Sequence, residues 1–286
     1  MHPVLFELPW GTANAYGTLI LLGGCSTLPG VIWDARRRGI GGGKVASFVI
    51  DFYLVLILGA AVGGRVLHIL TVPGDYLEDP SRLVSMSDSG FVFFGSLLFI
   101  FGGWVWLARR YGTKLSTIAD LGATWMALGH GFGRLGCLMA GCCWGAPTPS
   151  AWGVEFPAES VVYLSDPALR TGEHTVALHP VAAYEAAGLF VLLLVLVAIR
   201  IRRGIEAPWR QASRYAAGYG GLRAITEIFR ADGSRGFVFE ATAPWLSSLL
   251  GLPADHPVAL SISQLTALLL VAVGVYGLRR SRTANS

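Results

Sequence analysis

Three arginines, Arg65, Arg134 and Arg223, stand within runs of apolar residues, where charge is expensive. An arginine at the centre of a membrane span costs roughly 3 kcal/mol or more, so it faces a bundle interior or a wet cavity and marks function. Spacing adds detail. His130, Arg134, Cys137, Gly141 and Gly145 recur at intervals of three or four, as do Tyr219, Arg223, Glu227 and Arg230. On a helix each series shares one face. Arg223 and Glu227, four apart, can pair, which lowers the insertion cost and orients the guanidinium. Arg230 closes the second series at the outer end of its helix. Converging guanidiniums suit an anion, and at a membrane the abundant anion is a phospholipid phosphate. The alternative is that each arginine pairs with a carboxylate and ties helices together.

The elements that carry these residues follow from composition. The 286 residues are 53% hydrophobic and 14% charged, with a mean hydropathy of +0.55. A soluble domain carries about 25% charged residues, so lipid must cover much of this surface. Disorder is excluded for the same reason. Apolar runs near 12–33, 45–71, 91–108, 117–140, 180–199, 214–229 and 260–278 predict an all-α polytopic membrane protein with seven transmembrane helices. The whole chain, 1–286, reads as a single transmembrane domain. No cleavable signal is expected, since residues 1–11 lack Lys and Arg.

Orientation comes from the basic residues. Arg36, Arg37, Arg38 and Lys44, then Arg109, Arg110 and Lys114, then Arg200, Arg202, Arg203, Arg210 and Arg214, and finally Arg279, Arg280 and Arg282 fall on one side. The other side holds Arg82, Arg170, Arg230 and Arg235 amid many carboxylates. The positive-inside rule places the N-terminus outside and the C-terminus in the cytoplasm. The net charge of +4 is thus an orientation signal, and no nucleic acid is expected as a partner. Tryptophans near both interfaces read as aromatic belts. The longer external connections, about 141–178 and 230–258, are large enough to cap an outward-facing site. No internal repeat is found, which weighs against an inverted-repeat transporter.

Cys137, Cys142 and Cys143 are separated by five and one, which is not a zinc spacing, and small-residue packing is the simpler reading. No metal is expected. His179 stands apart from the other histidines, opening the fifth run just before Pro180.

The segment Gly133-Arg134-Leu135-Gly136-Cys137-Leu138-Met139-Ala140-Gly141-Cys142-Cys143-Trp144-Gly145 resembles the signature of bacterial prolipoprotein diacylglyceryl transferases. His179-Pro180-x-x-x-Tyr184-Glu185 is similar to a second motif of that family, and Tyr219-Gly220-x-x-Arg223-x-x-x-Glu227-x-x-Arg230 to a third. Weaker likenesses are Ala15-Tyr16-Gly17, Gly63-Gly64-Arg65, Asp120 and Ser263-Gln264. The resemblance implies transfer of the diacylglyceryl group of phosphatidylglycerol to the lipobox cysteine of exported prolipoproteins. Glycerol phosphate would be released, and no cofactor is required. It further implies a bacterial inner-membrane protein with its site at the outer leaflet. Arg134 and Arg223 carry over as the catalytic phosphate-binding pair. Tyr16 and Glu227 carry over as headgroup and arginine-orienting residues, and Gly145 as a close-packing position. Arg65, Tyr219 and Arg230 join the substrate-binding set. So does Cys137, which stands where the family has asparagine.

Other departures are Cys142 for a glutamate and Phe94 for a histidine thought to activate the thiol. His179 and His130 are the replacement bases to test, with His179 placed in the catalytic set. A catalytically inactive lipid-binding paralogue and a small-anion transporter are the alternatives.

Overall fold

The computed structural model describes residues 4–8, 11–79, 81, 93–233 and 235–283. Strands β1 (Val4–Leu8) and β2 (Gly11–Asn14) pair antiparallel ahead of α1 (Ala15–Arg37). Helix α2 (Val45–Leu58) passes through a π turn, Gly59–Gly63, into α3 (Gly64–Thr71), which α4 (Pro73–Glu78) follows. Next come α5 (Phe93–Arg110) and α6 (Leu115–Ala140). The connection after α6 holds α7 (Val161–Ser165), a short 3-10 turn, and the paired strands β3 (Arg170–Thr171) and β4 (His174–Thr175). Helices α8 (Val181–Arg203) and α9 (Arg210–Thr226) are joined by a short loop. Strand β5 (Phe237–Thr242), α10 (Pro244–Leu250), β6 (Pro257–Ser261) and α11 (Ile262–Thr283) complete the chain.

Long helices therefore occupy every predicted apolar run. Among the described residues, four are long and apolar enough to cross a membrane: Ala15–Arg37, Val45–Thr71, Val181–Arg203 and Ile262–Arg280. The chain is mainly helical, with three small two-stranded sheets among the described residues that the all-α expectation lacked. The first corrects an expected boundary, since residues 11–14 are strand where the first span was to begin. The sixth run also shifts. Its helix starts at Arg210 and ends at Thr226, with residues 227–229 tightened into a 3-10 turn.

The distribution of polarity is inverted relative to a water-soluble protein. Leu21, Ile57, Leu194 and Leu269 are exposed on long helices, whereas Glu185, Arg200, Arg223 and Glu227 are buried. Burying charge and exposing leucine is favourable only where the surrounding medium is apolar. The chain is a membrane protein.

The residues pack as two compact units, Pro29–Leu121 and the remainder, Met1–Leu28 with Gly122–Ser286. In the 29–121 unit, the π turn meets α5 at bare backbone. A Cβ added at Gly95 would lie 2.2 Å from the Gly63 carbonyl oxygen, so only glycine admits this approach. Ser96 Oγ donates to the Ala60 carbonyl at 2.9 Å, satisfying an acceptor inside the π turn. Arg110 Nε and the Tyr111 hydroxyl both donate to Asp51 Oδ2, at 2.8 and 2.6 Å. Arg65 lies over the Tyr76 ring, 5.3 Å from its centroid, and His68 Nδ1 is 2.8 Å from the Tyr76 hydroxyl.

In the larger unit, α8 and α9 notch together through reciprocal Leu–Gly contacts. Leu222 fills the space over Gly188, and Leu192 the space over Gly218. Helix α9 meets α11 still more closely, with Gly220 against the Ala267 carbonyl and Gly274 against the backbone of Ala217 and Ser213. Small residues let these backbones approach where lipid supplies no hydrophobic driving force. Such packing brings the polar faces of α6, α8 and α9 together.

Candidate functional site

The meeting point is Glu185, on the first turns of α8 and 1% exposed. Its Oε1 lies 3.0 Å from Arg134 Nε of α6 and accepts from the Tyr219 hydroxyl of α9 at 3.2 Å. Its Oε2 accepts from Arg223 Nη1 at 3.3 Å. One carboxylate thus bridges two of the three arginines that the sequence singled out. Helix phase explains the convergence, because Arg134 shares a face with His130, and Arg223 with Tyr219. His130 Nδ1 is 3.3 Å from the Tyr215 hydroxyl, and Nε2 is 4.0 Å from Glu185 Oε1.

A second carboxylate extends the array. Glu227 Oε2 lies 2.6 Å from Arg223 Nη2, the expected i,i+4 pair, and 3.6 Å from Arg230 Nη1. Its Oε1 accepts from Ser261 Oγ at 3.0 Å and lies 3.6 Å from Arg235 Nε. Arg230 forks onto Asp232, donating from Nε at 2.7 Å and from Nη2 at 2.5 Å. Four guanidiniums therefore share three carboxylates among the described residues. The contacts of Arg134 Nε and Glu227 Oε2 are ionic without hydrogen-bond angles, so these buried atoms keep directional capacity. Side-chain exposures of 17% for Arg134 and 11% for Arg223 leave little water to screen them. An enclosed array with surplus positive charge suits a monoanion with several acceptor oxygens.

The connections flanking α8 and α9 close over this array by backbone pairing. Gly145 N donates to the His179 carbonyl at 3.1 Å, and Ala146 N to the Phe229 carbonyl at 2.9 Å. Gly145 also bridges to Arg230. A Cβ at Gly145 would lie 2.6 Å from the His179 carbonyl and 2.8 Å from that of Phe229, so any other residue separates these strands. Helix in the cap between 141 and 178 is limited to a five-residue helix and a three-residue turn, as the prolines required.

His179 is buried, and both ring nitrogens are engaged. Nε2 donates to the Gly251 carbonyl at 3.3 Å, which leaves Nδ1 to accept from the Tyr184 hydroxyl at 3.2 Å. Burial lowers its pKa below the usual imidazole value. That arrangement ties the two caps together and leaves no lone pair for an incoming proton. His130, by contrast, stands in the array itself.

Tyr16 packs on α6 at Gly136, where an added Cβ would lie 3.1 Å from its ring. Cys137 sits one turn beyond Arg134, and Arg134 Nη1 reaches Cys143 Sγ at 3.8 Å. Arg65 belongs to the 29–121 unit. The side chain of Phe94 lies outside the described residues, as do Arg82 and Asp88.

Glu185, Asp232, Arg235 and Tyr215 were not assigned to the site from sequence, although Glu185 closes the motif that begins at His179. Glu185 had an available signal, being a carboxylate in an otherwise apolar helix. Asp232 and Arg235 had none, because their roles depend on how the 230–258 connection folds.

The family model described as prolipoprotein diacylglyceryl transferase matches residues 3–280. The chain is similar to the phosphatidylglycerol–prolipoprotein diacylglyceryl transferase of Clostridium tetani, 28% identical over 279 residues and covering 96% of each. The enzyme of that name from Vibrio vulnificus is 31% identical, over 80% of this chain and 79% of its own. That from Nitrosospira multiformis is 30% identical, over 86% and 82%.

Proposed function

The chain belongs to the prolipoprotein diacylglyceryl transferase family, and from that premise we propose that it moves the diacylglyceryl group of phosphatidylglycerol onto the lipobox cysteine of exported prolipoproteins. The site faces the outer leaflet of the bacterial cytoplasmic membrane, within seven spans whose N-terminus is outside and C-terminus inside. The buried array in which Glu185 joins Arg134 and Arg223 carries this reading.

The thiol sulfur attacks the glyceryl carbon that bears the phosphate, a C–S bond forms and the C–O bond breaks. Glycerol phosphate departs with both electrons of the broken bond. Its phosphate goes from one negative charge to two, while the thiol proton passes to a base. Stabilisation is therefore needed most where charge grows, on the departing oxygen. Arg134 and Arg223 supply the donors for it. Glu185 and Glu227 hold the guanidinium planes, so little reorganisation accompanies the step. Arg230 and Tyr219 line the same array and contact the headgroup. Tyr16 of α1 and Cys137 of α6 border it, and Gly145 keeps the cap close. Arg65 joins the lipid-binding set through its likeness to the family's Gly-Gly-Arg motif. Of the two candidate bases, His130 has the better placement, and His179 serves as a positioning residue between the caps. No cofactor is needed, because the leaving group is a phosphate monoester whose growing charge the arginines neutralise.

The test is direct. Purified protein is given phosphatidylglycerol and a lipobox peptide, and the peptide is weighed. The expected result is a diacylglyceryl mass increase on the peptide cysteine, absent from a serine-substituted peptide. No increase with active phosphatidylglycerol vesicles would refute the reading.

A further inference from the structure

Helix α6 ends in a Schellman motif. Gly141 takes the left-handed conformation with φ +69°, Gly141 N donates to the Leu138 carbonyl at 3.2 Å, and Cys142 N to the Cys137 carbonyl at 3.1 Å. That second bond folds the residue after the cap back over the last full turn. Here both residues it superimposes are cysteines. Cys143 continues the reversal with φ +59°, a conformation that non-glycine residues rarely adopt, and its side chain turns toward the same point. Separations of five and one thus become a cluster, with all three Sγ atoms within 4.8 Å of one another. All three are free thiols, and none is fully exposed.

We propose that Cys137, Cys142 and Cys143 form a binding site for one soft, thiophilic d10 cation, of the zinc or monovalent copper class, with the three sulfurs as its ligands. Thiolates select such ions over hard cations. A zinc–sulfur bond of about 2.3 Å sets neighbouring sulfurs about 3.8 Å apart in a tetrahedron. Small side-chain rotations bring the observed trio to that spacing, and a fourth position stays open to solvent or substrate. A cation held by three thiolates carries net negative charge, which needs a donor nearby. Arg134 provides one, with Nη1 3.8 Å from Cys143 Sγ. The site depends on this cluster alone and stands whether or not the transfer reaction is the right one.

The test uses the full chain in detergent, reduced with a phosphine and equilibrated with Cd(II). One cadmium per chain is expected, with the ultraviolet charge-transfer band of a cadmium thiolate. Cys137→Ser, Cys142→Ser and Cys143→Ser should each weaken binding at least about tenfold, while Cys25→Ser binds as the parent does. A second measurement needs no variant. Cadmium should protect three thiols of the parent from alkylation and leave the exposed Cys25 reactive. An alkylation pattern unchanged by cadmium, or a C137S/C142S/C143S chain that binds equally well, would overturn the proposal.

Discussion

The two ends of α9 use the same residue types for different ends. At its start, Glu206 gathers Arg203, Arg210 and Arg214, with Arg203 Nη1 at 3.9 Å and Arg210 Nε at 3.7 Å. At its finish, Glu185 and Glu227 gather Arg134, Arg223 and Arg230. Positive charge exceeds negative at both ends, so net charge does not separate them. Access to water does. Arg210 and Arg214 are 15% and 14% exposed, as enclosed as Arg134 and Arg223. The surplus guanidinium there, Arg203, is 63% exposed and meets solvent ions, whereas Arg223 is 11% exposed and does not. Enclosure turns a surplus of guanidinium into a demand for a bound anion.

Substitutions at the enclosed end should therefore have the largest effects. Arg134→Ala takes one of two guanidiniums from the buried Glu185, which costs up to about 3–5 kcal/mol of stability and confounds an activity loss with misfolding. Arg134→Lys and Arg223→Lys keep the charge but lose the planar fork. Each is expected to lower transfer about 10³-fold, as removal of a preorganised donor does. Gel-filtration and thermal-melt profiles near those of the parent would show that the chain still folds. A Lys variant that transfers at the parent rate would break the distinction between the two ends.

The base assignment comes next. His130→Gln should reduce kcat about 10²-fold and remove an acidic limb from its pH profile. His179→Gln should leave the profile's shape intact and act on stability instead. Reversal of those two results would return the role of base to His179.

A smaller effect concerns acid. Burial lowers the pKa of His179, and likewise that of His256, below the value of an unfolded chain. Their contribution to stability is complete above about pH 6.5 and is lost as pH falls toward the folded values. Melting temperature should drop between pH 7 and 5, and His179→Gln should flatten the drop. A flat profile in the parent would contradict the burial argument. The smallest effect belongs to the solvent end of α9, where Arg203→Ala should change stability by less than about 1 kcal/mol.

Much of this comparison was legible before any coordinates. Intervals of four placed Arg223 beside Glu227, and the cost of charge in lipid marked Arg65, Arg134 and Arg223, the last two of which the family resemblance made a pair. Their shared partner was not, because Glu185 belongs to another helix and only the notched packing of α8 on α9 brings it between them. The cysteines were hidden for a different reason. Their clustering comes from a helix cap and one left-handed residue, and linear spacing does not report a chain reversal. The small sheets were missed because short two-stranded pairs in connections leave no long alternating pattern. The long helices, by contrast, were announced by apolar runs, four of them long and apolar enough to cross a membrane among the described residues, since length and hydropathy are local properties.

The decisive measurement is kcat/KM for transfer from phosphatidylglycerol to a lipobox peptide, made on Arg223→Lys and Arg203→Ala side by side. Arg223→Lys is expected to fall about 10³-fold while Arg203→Ala stays within about twofold of the parent. A folded Arg223→Lys chain that keeps the parent's kcat/KM would contradict the claim that the enclosed array acts on the phosphate.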